Sequence, residues 1–399
     1  MPMRFEDTHK WLTFSVARLE RSGPRLWAML GECQSKCEHI AGVPLRPDVA
    51  DNLHRVYLAK GALATTAIEG NTLSEHEVLQ VLKGDLKLPP SREYLKQEID
   101  NIVGALNGIW EQVGSKTLPA LTVGELEHFN KLVLDGLTVE EGIVPGRIRT
   151  HEVGVARYRG APPEDCRYLL ERLTTWLEGQ EFQTPPGMDI IWGIIRAVTA
   201  HLYMAWIHPF GDGNGRTARL VEYRLLLASG APSPAVHLLS NHYNLTRSEY
   251  YRQLERASAS GGDYVPFFEY AVRGFLDGLR EQIAEIRKFQ LDVIWRNYVH
   301  EAFGDRKTEV EKRRRDLVLA LSYVDKPVRM AGIQNISPSI ATAYHGTSRM
   351  LLNRDLNALG KMGLVVRSRN GVIANKRIVE AFLPFRVEAP GSKSADAAA

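Results

Sequence analysis

Cysteine is scarce in this 399-residue chain: Cys33, Cys37 and Cys166 are the whole set. An odd, sparse set with no second pair to complete a metal cage argues against a disulfide framework and a structural zinc site, so the three are read as free thiols. Cys33 and Cys37 stand one helical turn apart, which admits a redox pair, but buried, idle thiols are the simpler account. No apolar run approaches the roughly 20 residues that cross a bilayer, so no membrane span is expected. The N-terminus, MPMRFEDTHKW, lacks the apolar stretch and small-residue cleavage site of a secretory signal, and the cytoplasm is the expected location. Internal repeats are also missing.

The charge is uneven. The formal net charge is +3, from 50 Lys and Arg against 47 Asp and Glu. From Arg306 to Arg386 there are 16 Lys and Arg against 6 Asp and Glu, a net of +10, so the remainder, 34 against 41, carries −7. The C-terminal part is a separate electrostatic object, and a chain of this length holds two or three domains.

Apolar positions recur three and four apart through Val56, Leu58, Leu63, Ala67 and Ile68, and again through Ile99, Ile102, Val103 and Leu106, so residues 1–115 read as helices. Gly84 and Pro89–Pro90 mark a loop between them. Residues 119–135 and 167–179 offer further amphipathic helices. The stretch GRIRTHEVGVARYRG between them breaks that period, and alternating Val153 and Val155 among Gly146, Gly154 and Gly160 predict a short hairpin or extended flap. A long apolar helix over 189–206, a Pro- and Gly-rich loop, and a second helix from about Arg216 to Ala228 form the central frame. Helical periodicity continues through 247–259 and 264–299, and Gly304–Lys307 reads as a linker.

Beyond it, RRRDLVLALSYV and TSRMLLNRDLNALGKMG are helical, and LVVRSRNGVIANKRIV shows two β-rich runs about Asn370–Gly371, a short-hairpin signal. Helices followed by such a hairpin suggest a winged helix-turn-helix. The expected organisation is an N-terminal helical region over 1–115, a helical core over 116–300, the winged module over 306–386, and a disordered tail over 387–399.

The informative segment is His208-Pro209-Phe210-Gly211-Asp212-Gly213-Asn214-Gly215-Arg216-Thr217-Ala218-Arg219. It joins two helical patterns, so Gly213 and Gly215 leave backbone N–H groups free to face an anion at the start of the second helix, where the unpaired amides and the dipole favour phosphate. Arg216 and Arg219 lie three apart on one helix face and can reach the same polyphosphate. Asp212 is a hard oxygen ligand of the kind Mg²⁺ uses when phosphates supply its other ligands. His208 accepts a proton near neutral pH. Together these parts describe nucleotidyl or phosphoryl transfer.

HPFGDGNGRTAR is similar to the Fic family signature of His, any residue, Phe, any residue, Asp or Glu, Gly-Asn-Gly-Arg, two residues and Arg, and it matches every fixed position. The resemblance, over roughly residues 45–280, implies a mainly α fold: a Fic-type helical core with a β-hairpin flap, here followed by the winged module. It implies transfer of AMP from ATP, with Mg²⁺, to a Tyr, Thr or Ser hydroxyl of a target protein, including the chain itself. By that resemblance His208 deprotonates the hydroxyl, Asp212 holds the metal, Gly213, Asn214 and Gly215 cradle the phosphates, Arg216 and Arg219 bind their tail, and Pro209, Phe210 and Gly211 complete the loop with Phe210 as its anchor. Thr65-Thr66-Ala67-Ile68-Glu69-Gly70 resembles the family's self-inhibition motif. Glu69 would then pair with Arg219 and keep it from the γ-phosphate, with Thr65 and Gly70 as the motif's other fixed positions. In some members the same glutamate helps remove AMP from the target.

Arg149 to Pro163 resembles the Fic flap, placing Val155, Ala156, Arg157 and Tyr158 near the nucleotide. Gly154 and Ala156 depart from the residues usual there, so target choice does not carry over. Arg247-Ser248-Glu249-Tyr250-Tyr251 resembles the segment whose aromatics border the adenosine, although an asparagine usual further on is replaced by Ser258 or Ser260. His201, His237 and His242 are read as structural. In the winged module, residues near Thr347–Arg354 would enter a DNA groove while Arg367, Arg369, Lys376 and Arg377 touch phosphates. Protein docking or homodimerisation is the preferred use of the module over DNA, and the basic residues of Lys312–Arg315 read equally well as a solvated face. The competing functions are a nucleotide-sensing transcriptional regulator and transfer of a different phosphate-bearing group.

Overall fold

The computed structural model describes residues 4–44, 47–115, 118–155, 158–304 and 308–380, which fall into two compact units, Met1–Ile283 and Ala284–Ala399. The tail expected to be disordered and Asp305–Lys307 of the linker lie outside the described residues.

In the first unit the main helices are α1 (Pro24–Ala41), α2 (Pro47–Ala67), α3 (Glu75–Lys83), α4 (Glu93–Gly114), α5 (Val123–Val133), α6 (Cys166–Leu177), α7 (Asp189–Ile207), α8 (Asn214–Ala228), α9 (Leu238–Leu245) and α10 (Arg247–Ala259). A 39-residue helix, α11 (Val265–Phe303), contributes its first part to this unit and its later part to the second. Local chemistry sets several boundaries. Ser74 accepts from the Glu77 amide while the Glu77 carboxylate accepts from the Ser74 amide, a capping box that starts α3, and left-handed Gly84 ends it.

Helix α7 is apolar almost all round, the pattern of a helix buried on every side. By length and composition it could cross a membrane, which corrects the expectation that no segment comes close, but 83% of its apolar window is buried inside the unit. It packs along α8 as the central pair. Helices α4 and α5 flank α8, α1 and α6 flank α7, and α2 lies against α4 and α9. The flap is a minimal antiparallel hairpin of β1 (Gly154–Val155) and β2 (Tyr158–Arg159), with Val155 opposite Tyr158. The three cysteines are buried and free, and burial pushes the Cys37 thiol up to about 12 and that of Cys166 to about 11, so neither offers a thiolate near neutral pH.

The second unit gathers the later part of α11 with α12 (Glu309–Leu321), α13 (Pro338–Ala343), α14 (Arg349–Lys361) and a hairpin of β3 (Val365–Ser368) and β4 (Gly371–Ala374). Trp295, Val299, Phe303, Leu317, Leu321, Leu356 and Leu359 build its core. Fully buried Asp355 on α14 accepts from Arg313 Nε at 2.9 Å, Arg314 Nε at 2.8 Å and the Tyr344 hydroxyl at 3.0 Å. Arg313 and Arg314 are therefore structural partners of a buried carboxylate, not a solvated face. The hairpin turn also differs from expectation. Ser368 pairs with Gly371, so Arg369 and Asn370 form the two-residue turn, and neither has a positive φ. Gly371, at φ 137°, serves close approach instead: a Cβ there would overlap the backbone of Val328, which bridges to Val372.

Two glycines on helices allow opposite predictions. Gly61 on α2 lies under the His237 ring, where a Cβ would overlap it, whereas Gly104 on α4 is exposed with open space around it. Alanine gains roughly 1 kcal/mol of helix propensity over glycine, but overpacking a filled site costs about 1–3 kcal/mol. Gly104→Ala should raise the urea midpoint and Gly61→Ala lower it.

Candidate active site

Helix α7 ends at His208, whose backbone is left-handed at φ 50° and ψ 57°. It shares a positive φ with only one other non-glycine residue among those described, Phe14. Such a conformation costs roughly 1 kcal/mol or more and persists where the surroundings dictate it. Here they do. The buried Arg149 guanidinium donates from Nε to the His208 carbonyl at 2.7 Å, from Nη1 to the His151 carbonyl at 2.7 Å, and from Nη2 to the Ala161 carbonyl. The Arg149 amide donates to the Pro209 carbonyl and that of Ala161 to the Ile207 carbonyl, so loop and flap are laced together. Phe210, fully buried, bridges to Ile148. Asn214 grips the Phe210 backbone on both sides, accepting its N–H at 2.9 Å and donating to its carbonyl at 2.8 Å. From behind, Asn130 on α5 donates to the Asp212 carbonyl at 2.8 Å and accepts from the Gly146 amide at 2.9 Å.

Left-handed Gly213, at φ 74°, turns the chain into α8. The first return bond runs from the Thr217 amide to the Gly213 carbonyl, so the amides of Asn214, Gly215 and Arg216 precede any intrahelical acceptor. Above this bare turn lies a carboxylate: a Cβ on Gly215 would overlap Glu69 Oε1. Buried Arg219 donates from Nη2 to Glu69 Oε1 at 2.5 Å and to the Thr65 carbonyl at 3.0 Å. Burial alone would raise the Glu69 carboxyl, but the Arg219 charge and hydrogen bond outweigh it and hold the group below its ordinary value. Arg216 reaches Glu98 at 3.0 Å and Asp212 at 3.5 Å, and Glu98 in turn accepts from Asn71 at 2.8 Å. Among the described residues, Arg216 Nε, Arg219 Nε and Arg219 Nη1 are buried donors without a partner. Unpaired buried guanidinium N–H groups beside a helix N-terminus describe a seat for an anion larger than one carboxylate.

Two cavities meet at this point, sharing Glu69, His208, Asn214 and Gly215. The first, about 490 Å³, has walls from Ala205, Trp206, Ala218, Tyr250, Tyr251 and Leu254. The Tyr158 hydroxyl donates to the Trp206 carbonyl at 2.6 Å, and the Tyr250 hydroxyl and His201 Nε2 lie 2.9 Å apart, which fixes both rings. Tyr251 donates to the Ile68 carbonyl at 3.4 Å, tying this wall to the turn that carries Glu69. The second cavity, about 400 Å³, is polar, with Gly211, Asp212, Gly213, Glu140, His151 and Glu152 around it. Burial, with the Arg149 charge acting in the same direction, lowers the His208 imidazole to about 4, so it is neutral at physiological pH.

The fold thus brings together Glu69, Tyr158, His208, Asn214, Gly215, Tyr250 and Tyr251 around one cavity and Gly211, Asp212 and Gly213 around the other, with Arg219 against Glu69. Arg216 turns toward Glu98. Pro209 contributes its carbonyl to Arg149, and Thr65 its carbonyl to Arg219. Gly70 has φ 109°, which favours glycine. Val155 sits in β1 opposite Tyr158, while Ala156 and Arg157 lie outside the described residues. The Asn214 side chain is committed to Phe210, so its share in an anion seat falls to its main-chain amide. Sequence reading missed Arg149, Asn130 and Glu98 as supports; Arg149 lay within the recognised flap, but nothing local marked its role.

Residues 120–226 match the model of the Fic/DOC family. The chain is 32% identical over 209 residues to the protein adenylyltransferase fic-1 of Caenorhabditis elegans, covering 52% of this chain and 38% of that protein. It is 26% identical over 209 residues to the protein adenylyltransferase Fic of Nematostella vectensis, covering 52% and 45%. The chain therefore spans less than half the length of these curated relatives. Among solved structures, a Fic family protein from Desulfovibrio desulfuricans G20 superposes with a TM-score of 0.56 at 22% identity, covering 88% of this chain and 93% of that one. Residues 134–508 of C. elegans Fic-1 superpose at 0.53 and 24% identity, covering 66% and 74%. These two likenesses are of fold. With the signature loop, the family match and the shared fold in agreement, the chain carries a Fic/DOC family domain on residues 120–226.

Proposed function

We propose that this chain is an autoinhibited protein adenylyltransferase that moves AMP from ATP to a Tyr, Thr or Ser hydroxyl of a protein, itself included. The observation that carries the reading is the pairing of an anion seat on α8, with its unpartnered Arg216 and Arg219 donors, and a neutral imidazole at the mouth of an aromatic-walled cavity. A nucleoside suits the first cavity, between Tyr250, Tyr251 and the Ala205–Trp206 wall, and its phosphates suit the bare amides of Asn214 and Gly215. The target hydroxyl gives its proton to His208 as its oxygen bonds to the α-phosphorus, and the bond to pyrophosphate breaks. The named activity of the relatives, over the part of each that this chain matches, supports the same reading.

A divalent cation fits one side of this arrangement. Among the described residues no group of three or more His, Cys, Asp or Glu forms a protein-only metal cage. Asp212, with 48% of its side chain exposed beside the polar cavity, offers the single carboxylate that Mg²⁺ needs when phosphates supply further ligands. Mg²⁺ bound there would offset charge on the leaving pyrophosphate. Glu69 holds the seat as an internal anion and keeps Arg219 from orienting the terminal phosphate, so the resting rate is low.

With α-labelled ATP, Glu69→Gly should raise self-labelling at least tenfold, and adding His208→Ala should return it to background. Equal labelling by the double variant would remove His208 as the base. The pH profile is a second check. A base with a pKa of about 4 is neutral throughout the physiological range, and the Glu69 charge, which raises it, is gone in the variant. The single-turnover rate of Glu69→Gly should therefore change less than twofold between pH 8 and 5.5, whereas an ordinary imidazole would lose about tenfold.

A further inference from the structure

The second unit carries a feature that AMP transfer does not use. Its elements run helix, single bridge, helix, helix, strand, strand: α12, Val328 bridging to Val372, α13, α14, β3 and β4. The turn Tyr344–Ser348, with Gly346 at φ 67°, separates α13 from α14, the order of a helix-turn-helix followed by a wing. Leu352, Leu356 and Leu359 turn one side of α14 into the core, and the other side exposes Arg349, Met350, Asn353, Arg354 and Asn357. Arg367 on β3 donates to the Asn353 carbonyl at 3.4 Å, so this helix face and the hairpin form one surface, continued by exposed Arg369 and Asn370 at the hairpin tip.

The charge on that surface has one sign. From Arg329 to Glu380 there are eight Lys and Arg against two carboxylates, Asp355 and Glu380. Asp355 is buried and already holds Arg313 and Arg314, and Lys376 is engaged by Asp292 at 2.7 Å, which removes it from the phosphate contacts expected of it. Arg349, Arg354 and Arg369 have no carboxylate partner among the described residues, and Arg367 meets only a carbonyl. Unpaired guanidinium groups gathered on one face suit a polyanion. A protein interface would instead centre on apolar and aromatic side chains, and on α14 and the hairpin strands only Met350 and Val366 are large apolar residues left exposed, neither of them aromatic. A helix of 13 residues is about 20 Å long and about 10–12 Å across, which fits a major groove about 12 Å wide, where Asn353 and Asn357 amides can meet base edges.

We propose that α14 and the β3–β4 hairpin form a surface for duplex DNA, with α14 in the major groove and Arg349, Arg354, Arg367 and Arg369 on phosphates. This is a function separate from AMP transfer and stands whether or not that reading holds. The sequence alone favoured protein docking; the free arginines and the shared helix–hairpin surface reverse that preference.

The full chain is titrated into a fluorescein-labelled, random-sequence 30-base-pair duplex and followed by anisotropy at 50 and 200 mM NaCl. Four phosphate contacts predict a slope of log K against log salt of about −3 to −4, or about a hundredfold loss over that range. Arg354→Ala with Arg367→Ala should weaken binding at 50 mM at least tenfold and shallow the slope by about two, while Lys288→Ala with Lys312→Ala, which removes the same charge elsewhere, should change it less than threefold. Arg369→Gln, at a tip with no packing role, repeats the direction if the first pair folds poorly. No duplex binding at 50 mM, equal weakening by the two pairs, or tighter binding to the single strand overturns the proposal. So does a change of oligomeric state in the Arg354→Ala, Arg367→Ala pair with duplex binding intact, which would assign the face to a second copy.

Discussion

An anion seat at the start of α8 governs the first unit. Its strength comes from helix amides without intrahelical acceptors and, among the described residues, from a buried Arg219 with two nitrogen atoms unsatisfied and a buried Arg216 with one. Donors left bare in a buried site are costly, so something negative belongs there, and Glu69 supplies it within the chain. The surrounding architecture serves to aim that seat. Helices α7 and α8 fix the loop between them, α4 offers Glu98 to Arg216, and α5 offers Asn130 to the back of the loop.

His208 shows what such support is for. Its left-handed backbone is held by Arg149, and the same burial that surrounds it with protein keeps its ring neutral. In the proposed AMP transfer, a weakly basic but always available imidazole would accept a proton as negative charge develops near the two arginines. In the proposed reaction, geometry and timing replace intrinsic basicity.

Much of this was legible in the sequence, and the reasons differ from part to part. The chemistry-bearing loop could be read because its residues are consecutive and one helix start gathers them, and α7 and α8 followed from unbroken apolar periodicity on either side. Glu69 with Arg219 required resemblance, since 150 residues separate them. Arg149, Asn130 and Glu98 were silent because each acts on a partner 59, 82 or 118 residues away through backbone groups or charge pairs that no local spacing encodes. The second hairpin was placed correctly, but its turn slipped by one because the glycine answers to the bridging Val328 backbone and not to the turn. The arginines of Lys312–Arg315 divide between solvent and a buried aspartate for a similar reason: Asp355 lies some forty residues on, and periodicity gives no hint of its burial.

The turn that bears Glu69 is pinned on both sides. Ile68 is fully buried, and Asn71 is bonded to the Leu95 carbonyl and to Glu98. Between these anchors the glutamate keeps 30% of its side chain exposed. Leaving Arg219 thus takes rotation about side-chain bonds and the breaking of one ion pair, with the main chain stationary. In the proposed enzyme, inhibition therefore rests on the free energy of that one pair, and its leak is a Boltzmann fraction that a competing anion tunes by degrees.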